Sequence, residues 1–359
     1  MKAAVLREVN RPLEVEEVGI DKPGPTEVLV RTGASGVCHS DLHFVEGLYA
    51  MAMPAVLGHE AAGTVEAVGD LVTYVKPGDR VILCLSVFCG HCERCLSGRP
   101  VLCSRLDVVR SPDDPPRLSQ GDTPFTQMAN LGSFAEQMLV HEHSLVKVND
   151  DLPFEQLALI GCGVTTGLGA ALNTAKVEPG STVAVIGCGG VGLNIIQGAK
   201  LAGALRIIAI DAVETKLAMA MEFGATDVID ASGGDVDKKV KDLTDGGVEY
   251  SFEAIGKKET AEQSFAMLRA GGTATIVGMI PQGTKIELDG PSFLREKRIQ
   301  GSSMGSNRFR TDMPRYIEFY KQGRLKLDEL VTQRMNLNQV NEAFADMKEG
   351  HVARSVITF

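Results

Sequence analysis

Two things this chain of 359 residues lacks narrow its function before any motif is read. Basic residues are outnumbered, 36 against 46 acidic, for a formal charge of −10 and a pI near 5.3. No broad cationic surface is on offer to nucleic acid or anionic lipid. The longest apolar runs fall short of the roughly 18 residues a membrane span needs, and the start, Met1 to Glu8, meets charge too soon for a signal-peptide core. A cytoplasmic protein is expected. Repeats and low-complexity tails are also missing. What remains is 44% hydrophobic and 23% charged, enough at about 150 residues per domain for two domains or one large barrel. Glycine is plentiful, 39 residues, so tight turns and close backbone approaches should be frequent. Eight cysteines in a reducing compartment point to metal or chemistry rather than disulfides, and four of them crowd into fifteen residues.

The texture changes along the chain. Early β-branched runs broken by Gly and Pro, such as Val28 to Arg31, Gly63 to Gly69 and Arg80 to Leu83, read as strands of an antiparallel or barrel-like domain. From about residue 165, apolar strands at Thr182 to Ile186, Arg206 to Ile210, Val248 to Glu253 and Thr273 to Val277 alternate with helical spacing. That alternation predicts a doubly wound parallel sheet. Helices are expected at 191–203 and from Val213 to Phe223, then amphipathic ones around Arg315 to Tyr320 and Gln339 to Lys348. The β-patterned tail Arg354 to Phe359 should return to the first domain.

Gly187-Cys188-Gly189-Gly190-Val191-Gly192 follows the strand at Thr182 to Ile186 and opens a helix. The first Gly permits the turn, the second lets backbone approach a pyrophosphate, and the third allows close helix-to-strand packing. Asp211 ends the next strand, where an acid accepts hydrogen bonds from ribose hydroxyls and repels a 2′-phosphate, which favours NAD. Lys216, a turn further on, is either a ribose contact or a solvated helix-face lysine.

Cys89, Cys92, Cys95 and Cys103 form a Cys-x2-Cys-x2-Cys-x7-Cys lobe. Four thiolates close tetrahedrally on zinc and leave no open position, which makes a structural site. An iron–sulfur cluster is the rival use of this spacing. His91 inside the lobe reads as a bystander. A second, dispersed set comprises Cys38, His59 and Cys162, three ligands with one position open, the arrangement a catalytic zinc needs. Spacing alone does not show that they converge, and each taken singly reads equally well as a buried core residue.

With these motifs in hand, the chain resembles the zinc-containing alcohol dehydrogenases of the medium-chain dehydrogenase/reductase superfamily over its whole length. Gly58-His59-Glu60-Ala61-Ala62-Gly63, the lobe cysteines, and Gly161 to Gly167 leading into the glycine motif carry the likeness. The resemblance implies an α/β architecture: a GroES-like catalytic domain at 1–163 and 304–359 with the lobe at 89–103, and a Rossmann domain at 164–303, the active site lying between them. It implies two Zn2+ per subunit, a catalytic one on Cys38, His59 and Cys162, and NAD as hydride carrier. Ser40 matches the hydroxyl that bonds substrate oxygen, His43 the histidine that passes the proton onward, Asp41 the carboxylate that orients His59, and Glu60 the acid behind the metal. Arg354 matches an arginine at the pyrophosphate. His39 stands where many relatives place Arg at the pyrophosphate, which should loosen NAD binding. Where the glutathione-dependent formaldehyde branch has Tyr, acids and Arg, this chain has His43, the apolar stretch Leu48 to Met51, and Asp107, so a glutathione adduct is disfavoured.

A simple primary or aromatic alcohol is expected as substrate, with Leu85 among the pocket residues, in a homodimer or homotetramer. Two alternatives stand beside this: a nicotinoprotein that keeps NAD bound, and a zinc-ribbon binding protein with a redox-sensing Rossmann domain. The Pro-rich stretch Ser111 to Arg117 matches no pattern and is expected at the pocket entrance.

Overall fold

The computed structural model describes residues 1–104, 107–111, 113–350 and 353–359. Its chain divides into two compact units, Met1–Cys162 with Arg308–Phe359, and Gly163–Asn307. In the first unit a seven-stranded sheet carries the strands in the order Leu145–Val148, Arg80–Leu83, Glu60–Val68, Glu27–Gly36, Arg354–Thr358 and Val331–Met335, with Gln137–His141 also paired to Glu27–Gly36. Glu27–Gly36 is the spine because Val28, Val30 and Ala34 are fully buried. Its ladder with Glu60–Val68 breaks register at Leu29/Val30 and at Thr32/Ala34, bulges of the kind that raise twist and curl a sheet. The tail does return here: Val356 faces Gly36 and Ile357 faces Ser35 in an antiparallel pair. A second six-stranded sheet contains Lys2–Leu6, Glu14–Glu17 and Ala55–Val56.

The second unit is a parallel sheet in the order Asp227–Asp230, Arg206–Asp211, Thr182–Ile186, Val248–Glu253, Leu268–Ile276 and Arg298–Gly301. Written by sequence, that is 3-2-1-4-5-6, the doubly wound order of dinucleotide-binding domains. Its central strands, Val183 to Ile186 and Ile207 to Ile210, are buried along their length, as strands covered on both faces must be. The helices run over Gly190–Leu201, Glu214–Phe223, Val236–Thr244 and Lys258–Ala266. Gly224 ends the second of them at φ 116°, a left-handed cap.

The chain leaves the second unit after Asn307 rather than after Ser303. Met304–Ser306 is held there: a Cβ on Gly305 would lie 2.4 Å from the Thr165 carbonyl oxygen, and the Thr166 hydroxyl donates to the Met304 sulfur at 3.3 Å. Among the described residues one helical stretch, Phe154–Ala175, is long and apolar enough by composition to cross a membrane, but 83% of its apolar window is buried within the protein.

Candidate functional site

Asp41, wholly buried in the short helix His39–Val45, sets the register of the dispersed trio. Its Oδ2 accepts the Cys38 N–H at 3.0 Å, and its Oδ1 accepts the Gly58 N–H at 3.0 Å and faces His59 Nδ1 at 3.1 Å. One carboxylate thereby ties two loops separated by twenty residues, and a proton on Nδ1 leaves Nε2 as the ligating nitrogen. Gly58 must be glycine: its φ is +90°, and a Cβ would strike the Ser133 hydroxyl at 2.5 Å and the Phe134 nitrogen at 2.7 Å.

The third member arrives from elsewhere. Cys162 sits in a π-helical turn, Ile160–Val164, the kind of bulge that re-aims a side chain at functional sites. Its neighbour Gly161 lets the turn approach the sheet, since a Cβ there would lie 2.7 Å from the Leu83 carbonyl oxygen. The ligand atoms of Cys38, His59 and Cys162 all fall within 4.8 Å of one another, with Cys162 Sγ to His59 Nε2 at 3.2 Å. Each residue is no more than 4% exposed. A hydrogen bond between the two thiols, aided by Arg354, holds Cys38 well below the usual thiol range, and the same hydrogen bond, with burial and against Arg354, pushes Cys162 well above it. Burial opposes protonation of His59, yet the Asp41 carboxylate keeps the ring well above its ordinary value. Two sulfurs and one imidazole nitrogen are the donor set that tetrahedral zinc takes in catalytic sites, with the fourth position left to water or substrate.

Glu60 lies beside the trio, wholly buried, and neither carboxylate oxygen has a hydrogen-bond partner among the described residues. Gly36 makes room for it, because a Cβ there would meet Glu60 Cδ at 2.8 Å. Burial pushes its carboxyl up to about 7, and the Arg354 guanidinium opposes that rise. Arg354 Nη2 stands 3.9 Å from Glu60 Oε2, and Nη1 donates to the Val37 carbonyl at 3.3 Å. Arg354, expected at the pyrophosphate, is 4% exposed and stands here as countercharge to the buried acid and the cysteines. Its strand pairs directly with the strand leading to Cys38, which is what brings it here.

Ser40 Oγ lies 3.7 Å from Cys38 Sγ. His43 is half-buried, and its Nδ1 is buried with no partner among the described residues. Burial lowers its pKa, so the ring is neutral near pH 7 and able to accept a proton. Tyr49, read from sequence only as part of an apolar stretch, stacks on His43 at a 6.1 Å centroid distance. His39 is exposed on the first turn of the same helix. Leu85 packs, partly buried, against the sheet core around Val28 and Val30.

In the lobe, Cys92 and Cys95 sulfurs are 3.5 Å apart, Cys89 and Cys95 3.9 Å, and Cys92 and Cys103 3.8 Å. Metal–sulfur bonds of about 2.3 Å give a tetrahedron with edges near ~3.8 Å, so the four sulfurs fit a closed zinc. Gly90 supplies the left-handed turn at φ +89°. Backbone N–H groups draw Cys92 down to about 6, while burial pushes Cys95 up to about 12. His91 is exposed and pairs with Asp107, outside the four-sulfur set, although its nitrogen also comes within 4.8 Å of Cys89 Sγ. The Pro-rich stretch is anchored on Glu27: Arg117 Nε donates to it at 2.7 Å, and Arg110 spends all five donors on Glu27, Asp21 and the Lys22 and Pro115 carbonyls. These residues line a cavity of about 330 Å3; Pro112 lies outside the described residues.

The glycine motif has the geometry a pyrophosphate needs. Gly187 turns at φ +93°, and a Cβ on Gly192 would lie 1.7 Å from the Gly187 oxygen. Gly189 caps the helix Gly190–Leu201 with nothing within 4 Å of its Cβ position, an open cradle at a helix N-terminus. Val191 is partly exposed on the first turn. Asp211 Oδ2 accepts the Cys188 N–H at 2.8 Å and Oδ1 the Val213 N–H at 3.1 Å, fixing the acid beside the loop. Lys216, on the first turn of Glu214–Phe223, is near enough for its charge to be felt at Cys188, whose thiol burial and Asp211 push up to about 12.

Comparison with known proteins adds family evidence to this geometry. Residues 24–150 match the family described as alcohol dehydrogenase GroES-like domain, and residues 190–322 match zinc-binding dehydrogenase. An NDMA-dependent alcohol dehydrogenase of Amycolatopsis methanolica is 40% identical over 364 residues, covering 99% of this chain and 98% of that protein. A solved alcohol dehydrogenase zinc-binding domain protein from Burkholderia ambifaria superposes with a TM-score of 0.94 at 36% identity, covering 100% of this chain and 98% of the other. Benzyl alcohol dehydrogenase from Acinetobacter calcoaceticus gives 0.93 at 34% identity, covering 100% and 99%.

Proposed function

Since the chain belongs to the zinc-binding alcohol dehydrogenases of the medium-chain superfamily, and is thus an oxidoreductase, we propose that it moves a hydride between a primary or aromatic alcohol and NAD. The observation that carries this reading is the contrast between the two metal sets. Four cysteines enclose one position, whereas Cys38, His59 and Cys162, drawn from three distant segments, supply only three donors. When bound, zinc supplies a Lewis acid that lowers the pKa of the alcohol, and the nicotinamide supplies the hydride acceptor. Asp41 would hold a proton on His59 Nδ1, so that Nε2 is the nitrogen turned to the metal. Ser40, beside Cys38, takes the hydroxyl proton of the alcohol as it gives up its own, and His43 passes that proton on, by way of the cofactor ribose, to solvent. Asp211 accepts from the adenosine ribose and selects NAD by repelling a 2′-phosphate.

The aromatic preference draws support from the benzyl alcohol dehydrogenase likeness. A reducing cytosol, with the chain in a homodimer or homotetramer, completes the reading; the eight cysteines, none of them in a disulfide, suit that compartment. The test is a panel of alcohols followed by NADH formation: benzyl and short primary alcohols should be oxidised with NAD, with NADP poorly used. Absence of NADH formation across the panel would overturn the reading.

A second reading, that NAD stays bound and hydride passes on to an external carbonyl or dye, is favoured by the NDMA-dependent relative. Dialysed protein that retains one cofactor per chain and ignores added NAD would decide for it.

A further inference from the structure

Outside the residues discussed so far, a wholly buried acid stands at a strand end of the second unit. Glu253 ends the strand Val248–Glu253 and is 0% exposed. Its Oε1 accepts three hydrogen bonds, from the Ile255 N–H at 2.9 Å, the Gly256 N–H at 2.7 Å and the Thr260 hydroxyl at 2.8 Å. Its Oε2 is buried with no partner among the described residues. A single oxygen thus folds the chain beyond the strand into a tight turn, with Gly256 at φ +92°.

That turn is wedged between two strand ends. On one side, a Cβ on Gly187 would come 2.6 Å from Ile255 Cγ1 and 3.2 Å from the Ala254 carbonyl. On the other, a Cβ on Gly256 would lie 2.5 Å from the Met279 oxygen, and one on Gly278 would lie 2.2 Å from the Gly256 nitrogen and 2.6 Å from Glu253 Oε2. The first glycine of the phosphate loop therefore rests on a turn whose shape Glu253 dictates. Val248–Glu253 is also the strand beside Thr182–Ile186 at which the sheet order reverses, and sheets of this kind bind one mononucleotide on each half across that reversal. Asp211 belongs to the first half. Glu253 opens the second.

We propose that Glu253 is a positioning residue for the nicotinamide half of the dinucleotide, holding Ala254, Ile255 and Gly256 against Gly187 so that the two halves of the site stay in register. This rests on the NAD reading above. Nothing in the hydride transfer itself is assigned to the carboxylate, which acts through backbone N–H groups.

The test uses the full chain in complex with NADH and reads release of the dinucleotide by its fluorescence, together with AMP affinity by titration. Glu253→Gln keeps an oxygen for the three donors and should release NADH within about threefold of the wild-type rate. Glu253→Asp, one methylene short, and Glu253→Ala should release it about tenfold faster or more, with AMP affinity changed by less than about twofold because AMP fills only the half read by Asp211. If the Ala variant does not fold, the Asp variant decides. Wild-type release rates in Asp and Ala, or parallel loss of NADH and AMP binding, would overturn the proposal. Failure of the wild type to bind NADH would overturn the NAD reading and this inference with it, an outcome distinct from a null effect in the variants.

Discussion

Asp41 spends one carboxylate on three partners, the Cys38 and Gly58 amides and the His59 ring, so its removal should be felt first in metal affinity. Loss of such an orienting carboxylate costs roughly 10–100-fold in zinc binding. Asp41→Ala should therefore lose the catalytic zinc to a chelator at correspondingly lower concentration while the lobe keeps its own, as measured by competition titration. His141 makes a second prediction at this scale. Burial, with His143 and Arg117 adding repulsion, holds it down at about 4 against an ordinary 6.5. A depressed histidine contributes stability that is complete above pH 6.5 and lost as pH falls towards 4, because the unfolded chain takes up the proton first. The full shift corresponds to about 3 kcal/mol. Relative to His141→Gln, the wild type should lose up to that amount between pH 6.5 and 4 in denaturant unfolding; parallel profiles would contradict it.

At the scale of elements, the glycine motif and the lobe were legible because their chemistry is local. Spacing alone brings Cys89, Cys92, Cys95 and Cys103 onto one loop, and Gly187 to Gly192 must turn tightly wherever a strand feeds a helix. Gly192→Ala should abolish NADH binding, since its Cβ would overlap the Gly187 oxygen at 1.7 Å; isothermal titration beside a thermal melt would separate lost binding from lost fold. Apolar strands such as Ile207 to Ile210 announced themselves. The strands Asp227–Asp230 and Arg298–Gly301 did not, because at the sheet's edges each buries only one face or neither and carries no apolar run. The contacts of Arg354 with Glu60 and Val37 were not legible for a related reason: they depend on which strand its own strand pairs with, and sequence spacing does not encode that.

For the whole molecule, the convergence of Cys38, His59 and Cys162 was readable only through the family resemblance. Cys38 is placed by a helix start, His59 by a left-handed glycine, and Cys162 by a π-helical turn at the very end of the unit's first segment, and no pattern in the chain links the three. Their meeting requires the central sheet, closed by the returning tail, to be complete. The most direct measurement of the account is zinc content per chain by elemental analysis, paired with circular dichroism, for the wild type and Cys38→Ser. The account predicts about two zincs in the wild type and about one in the variant, with the fold retained and alcohol oxidation lost. A single zinc in the wild type, or a Cys38→Ser variant that keeps both zincs and its activity, would contradict it.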